Sequence, residues 1–133
     1  MIGEMMTMSM MMNGKINFEE IYKKQMQNQN RMLVLGLYEN ENAVEVPFDD
    51  VKISSYHIQQ LISEIGEVLS ADKRWKNFRN EKYDKENKLE EIADCFIVLM
   101  NIAMFSGISY DMLIEKLNEK VEILKERTNE IKF

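Results

Sequence analysis

The apolar positions of this chain recur at intervals of three and four residues in several stretches that polar segments separate. This spacing places apolar side chains on one face of an α-helix. Each stretch follows a residue that can cap a helix, namely Asn17, Asp49 or Asp50, Asp84 and Ser109. The pattern therefore predicts four helices, which begin near Phe18, Val51, Lys85 and Tyr110 and end near Leu37, Trp75, Phe105 and Ile131.

The third predicted helix is apolar on all sides beyond Cys95, which is typical of a helix surrounded by other helices. The chain of 133 residues has only five glycines and one proline, too few for the turns of an all-β domain. We therefore expect an all-α fold, an antiparallel four-helix bundle, in a single domain over residues 17–133. Residues 1–16 are rich in methionine and of low complexity, and they are expected to form a disordered or irregular tail. The first dozen of them lack the basic segment of a signal peptide.

Charge and cysteine content narrow the class of protein. The formal net charge of −6 has the wrong sign for a protein that binds nucleic acid through its overall field. The longest nearly apolar run, residues 95–105, is well short of the roughly 20 residues that cross a bilayer, so we expect no membrane partner. The single cysteine cannot form an intrachain disulfide, which favours a cytoplasmic protein.

Two pairs of carboxylates three residues apart carry the candidate chemistry: Glu64 with Glu67 on the second helix, and Glu91 with Asp94 on the third. Pairs with this spacing share a helical face, and in a chain with 23 acids most such pairs are simply solvated. Asp94 is in line with Asn101 on a helix that is otherwise apolar. Buried carboxylates there would need a cation, and two packed antiparallel helices could bring the four acids together.

The type of cation follows from the ligands. Carboxylate oxygens without thiolate or imidazole select a hard ion, so we expect Mg²⁺, with Mn²⁺ able to replace it. One histidine and one cysteine far apart argue against zinc, and His57, with no Glu three residues before it, argues against a di-iron bundle. His57 is interpreted as a structural histidine.

The segment between the acidic pairs, residues 72–88, has seven basic and four acidic residues, a local charge of +3. Its cations could bind a triphosphate chain, with Trp75 or Phe78 as a stacking face. The alternative is a solvated loop of salt bridges that a tryptophan anchors to the core. The sequence leaves both open.

Together these residues resemble a known superfamily. EIGE (Glu64 to Glu67), followed after 23 residues by EIAD (Glu91 to Asp94), is similar to the ExxE…ExxD signature of the all-α nucleoside triphosphate pyrophosphohydrolases, which include MazG-like proteins, dCTP pyrophosphatases and dimeric dUTPases. The resemblance covers roughly residues 51–126. It implies that the four acids bind Mg²⁺ and that the chain forms a dimer or tetramer with the site at or near a subunit interface.

The resemblance also implies roles for other residues. KRWK (Lys73 to Lys76) looks like the Lys/Trp element of the dUTPase-like branch, which implies phosphate contacts from Lys73 and Lys76 and a pocket role for Trp75. Asn101 is similar to an asparagine near the base or deoxyribose, and Gln25 to a base-reading glutamine. That branch commonly has His-Phe shortly after the final Asp, whereas this chain reads Cys95, Phe96, Ile97, which leaves uracil selectivity open.

The expected function is hydrolysis of a (deoxy)nucleoside triphosphate, dUTP or dCTP, to the monophosphate and pyrophosphate. Glu64 is the expected catalytic carboxylate, which orients or deprotonates the attacking water. A second hypothesis is a broad house-cleaning pyrophosphatase for non-canonical nucleotides. A third, from a different class, is a non-catalytic helical interaction module with an acidic groove.

Overall fold

The computed structural model describes residues 15–41, 44–76 and 83–131. These residues form four α-helices and a short 3-10 helix, and they contain no β-strand beyond an isolated bridge between Asp49 and Ser106. The helices are α1 (Phe18–Val34), α2 (Val51–Ala71), α3 (Lys85–Met104) and α4 (Tyr110–Asn129), with the 3-10 helix at Lys73–Trp75. The predicted all-α class is confirmed. None of the helices in these ranges has the length and apolar character needed to cross a membrane. The methionine-rich residues 1–14 of the predicted tail lie outside the described part.

Each α-helix begins at a side chain that accepts a hydrogen bond from its first turn. The caps are Asn17, Asp50, Asp84 and Ser109, which bind the backbone N–H groups of Glu20, Ile53, Asn87 and Met112. A capped helix start satisfies an N–H group that has no partner within the helix. The predicted helix starts are therefore confirmed. Both α1 and α2 end three or four residues earlier than expected, α1 because Gly36 adopts a left-handed conformation with φ of 71°.

The helices α2 and α3 form an antiparallel pair. At one end, the backbone N–H of Asp50 donates to the carbonyl of Phe105 at 2.9 Å. At the other end, the ammonium of Lys88 lies 3.0 Å from the carboxylate of Asp72. The C-terminal half of α3 also contacts α1, where the side-chain amide of Gln25 donates to the Asn101 carbonyl oxygen at 2.9 Å. The hydroxyl of Tyr22 on α1 donates to the carbonyl of Ile108, in the turn after α3, at 3.0 Å.

The hydrophobic core lies at one end of this pair, where α1, the start of α2 and the end of α3 meet. Its buried members are Tyr22, Val46, Ile53, Met100, Met104 and Phe105. The rings of Tyr38, Phe48 and His57 all pack on Phe105, with His57 stacked at a centroid distance of 5.5 Å. Gly107 turns the chain out of α3 with φ of 73°, as expected for its role as a helix stop. The core therefore fixes the N-terminal end of α2 against the C-terminal end of α3.

The remaining apolar surface is less well covered. No residue of α4 is buried, and its Leu117, Val121 and Leu124 are about half exposed. The predicted apolar stripe of α2 includes Ile62, which is 68% exposed, and in the apolar α3 the ring of Phe96 is 57% exposed. The described residues of one chain thus do not enclose α3 on all sides.

Candidate functional site

The antiparallel pairing of α2 and α3 brings acidic residues of the two helices together. One carboxylate oxygen each from Glu64, Glu67 and Glu91 lies within 4.8 Å of the other two. Glu64 and Glu91 are half-buried between the helices, whereas Glu67 is exposed. We call these three residues the acid cluster. It lies near the middle of α2, away from the hydrophobic core.

The fourth predicted metal ligand, Asp94, lies at the edge of this arrangement. Its side chain is exposed, and its carboxylate is not among the three grouped oxygens. Asp94 is still close enough for its charge to help raise the pKa of both Glu64 and Glu91. The structure thus groups three of the four predicted acids and leaves the fourth beside them.

The acid cluster is electrostatically unfavourable without a cation. Burial, followed by the charges of Glu67 and Asp94, raises the pKa of Glu64. A hydrogen bond with the Glu67 carboxyl, followed by desolvation, raises the pKa of Glu91. When both groups are ionised, each leaves its Oε2 atom buried with no hydrogen-bond partner among the described residues. A buried charge without a partner carries a large free-energy cost, and a cation bound in the cluster would offset this cost.

The donor atoms of the acid cluster fit a hard cation. The thiol of Cys95, one turn after Glu91, has a raised pKa because burial and the neighbouring carboxylates disfavour the thiolate. Because only the thiolate is a good metal ligand, the protonated thiol does not compete, and the ligands in the cluster are carboxylate oxygens. Two oxygens on opposite sides of an Mg²⁺ ion are about 4.2 Å apart. The three grouped oxygens lie within 4.8 Å of one another, so they are near enough to share one ion.

Gln25 and Asn101, the two residues predicted to contact a base or sugar, touch each other. The side-chain amide of Gln25 donates to the Asn101 carbonyl oxygen at 2.9 Å, and Asn101 is buried. Gln25 in turn accepts a hydrogen bond from Asn28 at 3.1 Å. This amide pair joins α1 to α3 on the side of α3 that also carries Asp94. Seven residues, or about 10 Å of helix, separate Asp94 from Asn101.

The basic segment after α2 forms the short 3-10 helix. Trp75 is 56% exposed, and its indole N–H donates to the carbonyl of Leu69 at 3.1 Å. It lines a cavity of about 290 Å³ with Ile65 and Val68, so it is not part of the acid cluster. The ammonium of Lys76 lies 5.4 Å from the Trp75 ring centroid. Lys73 is half-buried and has no ion pair among the described residues, and Phe78 lies outside them.

The salt-bridge alternative predicted ion pairs in this segment, but the sequence did not single out the buried acid that binds two of its cations. Asp72, which is only 8% exposed, binds the guanidinium of Arg74 at 2.7 and 2.8 Å and the ammonium of Lys88 at 3.0 Å. The hydrogen bonds from Arg74 hold the pKa of Asp72 well below its usual range. The guanidinium carbon of Arg74 also lies over the ring of Tyr83, at 3.6 Å from the ring centroid. Asp72 thereby ties the end of α2 to the start of α3, and it neutralises two cations that could otherwise bind phosphate.

A second unanticipated feature is a polar network inside the core. The Tyr38 hydroxyl donates to Gln29 and lies 3.2 Å from Nε2 of His57, whose Nδ1 lies 3.2 Å from the Gln60 side chain. Gln29 and His57 are 3% and 2% exposed. Burial lowers the pKa of His57, which keeps the ring neutral. The interpretation of His57 as structural fits this position, but nothing in the sequence pattern pointed to Tyr38 as its partner.

No family model, curated protein or solved structure matches this chain.

Proposed function

We propose that this chain is a Mg²⁺-dependent nucleoside triphosphate pyrophosphohydrolase of the all-α, MazG-like or dUTPase-like type. Its substrate is a (deoxy)nucleoside triphosphate, dUTP or dCTP, and its products are the monophosphate and pyrophosphate. The observation that carries the proposal is the acid cluster, in which two carboxylate oxygens from different helices are buried with no hydrogen-bond partner in the part of the chain that the structure describes. Carboxylate oxygens are the protein ligands that a magnesium ion takes when it also binds substrate phosphates.

Within this proposal, Glu64, Glu67 and Glu91 hold the metal directly, and Asp94 completes the ligand set from the edge. Mg²⁺ bound there would lower the pKa of a bound water and offset the negative charge of the phosphates. Glu64 orients the attacking water and accepts its proton.

Other residues would position the substrate. The hydrogen-bonded amides of Gln25 and Asn101 are candidates for the base and sugar, since amide donors and acceptors can read the polar edge of a pyrimidine. Lys73 and Lys76 would contact the outer phosphates, and Trp75 would line the pocket. The ion pairs of Asp72 with Arg74 and Lys88 favour the two lysines over Arg74 for this purpose.

The proposal includes self-association to a dimer or tetramer in the cytoplasm. In its support, α4 has no buried residue in the single chain, and several large apolar side chains of α2 and α3 are exposed. Exposed apolar patches of this kind are typical of surfaces that another protein covers.

The test is pyrophosphate release from a panel of canonical and modified nucleoside triphosphates, with Mg²⁺ and with EDTA. We expect release from dUTP or dCTP, its abolition by EDTA, and its loss in Glu64→Gln and in Asp94→Asn. Glu122→Gln is the matched control, because Glu119 and Glu122 on α4 have the same spacing but lie outside the acid cluster. Comparable turnover in Glu64→Gln and Glu122→Gln would contradict the proposed site. Broad turnover of modified nucleotides would instead support the house-cleaning alternative.

A further inference from the structure

Gln60 on α2 is a half-buried amide that belongs to neither the hydrophobic core nor the acid cluster. It lies four residues before Glu64 and seven before Glu67, so the three side chains share one face of the helix. Toward the other end of α2 it meets the buried polar network, since its side-chain amide lies 3.2 Å from Nδ1 of His57. Gln60 therefore lies between the polar network and the acid cluster.

One end of the Gln60 amide is already held. The ring of His57 is 2% exposed, stacks on Phe105 and lies 3.2 Å from the Tyr38 hydroxyl, so its position is fixed. An amide has two polar ends, a carbonyl oxygen that accepts hydrogen bonds and an NH₂ group that donates them. His57 contacts one of these ends, and the other has no hydrogen bond within residues 15–41, 44–76 and 83–131. That end can therefore bind a ligand on the same side of α2.

The register of the α2–α3 pair places Gln60 between two groups of candidate substrate contacts. The contacts at the two ends of the pair put Gln60 opposite the stretch of α3 between Asp94 and Asn101. That stretch is about 10 Å long, and its two ends lie on one face because seven residues are close to two helical turns. The Asp94 end adjoins the acid cluster, and the Asn101 end carries the amide pair with Gln25. Gln60 thus lies beside the gap between the acid cluster and the amide pair.

We infer that Gln60 contacts the sugar of a bound nucleotide and hydrogen-bonds its 3′-hydroxyl through the free end of the amide. The inference rests on the proposed function, in which the phosphates lie at the acid cluster and the base lies at Gln25 and Asn101. The sugar of a nucleotide joins the base to the phosphates, so it occupies the gap beside Gln60. A hydroxyl both donates and accepts, so it can pair with either end of an amide.

The contact makes Gln60 a specificity-determining residue for the sugar. The 3′-hydroxyl is present in ribose and in deoxyribose nucleotides and is missing from 3′-deoxy nucleotides. A hydrogen bond between neutral groups contributes about 0.5–1.5 kcal/mol, which corresponds to a change of about 3–10-fold in affinity. We therefore expect the wild type to bind a 3′-deoxy nucleotide about 3–10-fold more weakly than the same nucleotide with its 3′-hydroxyl.

The test is isothermal titration calorimetry of the full chain with Mg²⁺ and non-hydrolysable nucleotides. The probes are the α,β-imido analogues of dUTP and dCTP, each with and without the 3′-hydroxyl. Gln60→Leu should bind the two forms of a nucleotide with equal affinity, because the variant has no polar group to meet the hydroxyl. Gln59→Leu is the matched control. Gln59 is the adjacent residue, is exposed and lies on the side of α2 away from α3, so this variant should keep the wild-type difference.

A second measurement uses the wild type alone and so avoids variants that could fail to fold. In ¹⁵N NMR spectra, the side-chain amide of Gln60 should show a larger shift difference than that of Gln59 between the complexes with and without the 3′-hydroxyl. Equal wild-type affinity for the two forms overturns the inference, as does a difference that survives Gln60→Leu or is lost in Gln59→Leu. These results leave the proposed function standing, because pyrophosphate release is measured separately. An absence of binding by all four analogues overturns both.

Discussion

Removal of a single hydroxyl group tests the polar network in the core. The Tyr38 hydroxyl joins Gln29 on α1 to His57 on α2, and both partners are at least 97% buried. Tyr38→Phe keeps the ring, which packs edge-on against Phe105 at a centroid distance of 5.3 Å. The substitution therefore deletes the hydrogen bonds and leaves the apolar contacts in place. Burial also raises the pKa of Tyr38 to about 12, so the hydroxyl is protonated at any relevant pH.

The expected cost follows from the groups left behind. A buried polar group that loses its partner costs about 1–3 kcal/mol, so we expect Tyr38→Phe to lower the free energy of unfolding by about 2 kcal/mol. With an unfolding entropy of about 2.1 cal/mol/K per residue, this corresponds to a decrease in Tm of about 7 °C. The substitution should weaken the contacts that α1 and the loop after it make with α2, because the deleted hydroxyl connects these parts of the chain.

The assay is thermal and urea unfolding followed by circular dichroism at one fixed protein concentration. Tyr110→Phe is the matched control, because the Tyr110 ring packs on Phe18 and Tyr22 while its hydroxyl has no hydrogen bond among the described residues. We expect that control to change stability by less than about 0.5 kcal/mol. Equal stability losses in the two variants would refute the role assigned to the Tyr38 hydroxyl.

Three further predictions concern pH, metal and backbone. His57 is the sole histidine, and burial lowers its pKa. The free energy of unfolding should therefore keep its full value above about pH 6.5 and decrease as the pH falls below it. When the free energy of unfolding is measured against pH, His57→Asn should lack this decrease. Mg²⁺ at about ten times its dissociation constant should stabilise the wild type by about 1.4 kcal/mol in a thermal shift assay, and an equal shift in Glu64→Gln would count against the metal site. Gly107→Ala should cost about 1–2 kcal/mol in urea unfolding because φ is 73° there, whereas Gly66→Ala, in an open helical position, should stabilise by about 0.5–1 kcal/mol.

Local features of the fold could be predicted because they depend on neighbouring residues. A side chain such as Asp84 accepts a hydrogen bond three residues ahead, so its effect can be read within one turn. Gly107 similarly ends α3 through its own backbone conformation. The grouping of Glu64 with Glu91 could be anticipated once the antiparallel pairing of their helices was assumed.

Other features could not be predicted, because they depend on which groups meet across the chain. The apolar stripe of α2 is a strong periodic signal, but periodicity does not say whether the same chain or another one covers it, and Ile62 is exposed here. Asp72 looked like one acid in a mixed charged segment, and its role depends on Lys88, which is 16 residues away. The link from Tyr38 to His57 similarly joins residues 19 apart.

The hydrophobic core lies at one end of the α2–α3 pair and the acid cluster lies nearer its middle, and this separation has a consequence for the dynamics of the chain. The end that contains Phe105 is packed in the hydrophobic core, whereas the opposite end of the pair is held by a few ionic contacts around Asp72. Amide hydrogens near the start of α3 should therefore exchange with solvent through small local openings, faster than those near its end. Such an opening would admit a bulky solute between α2 and α3 while the end packed in the hydrophobic core stays folded.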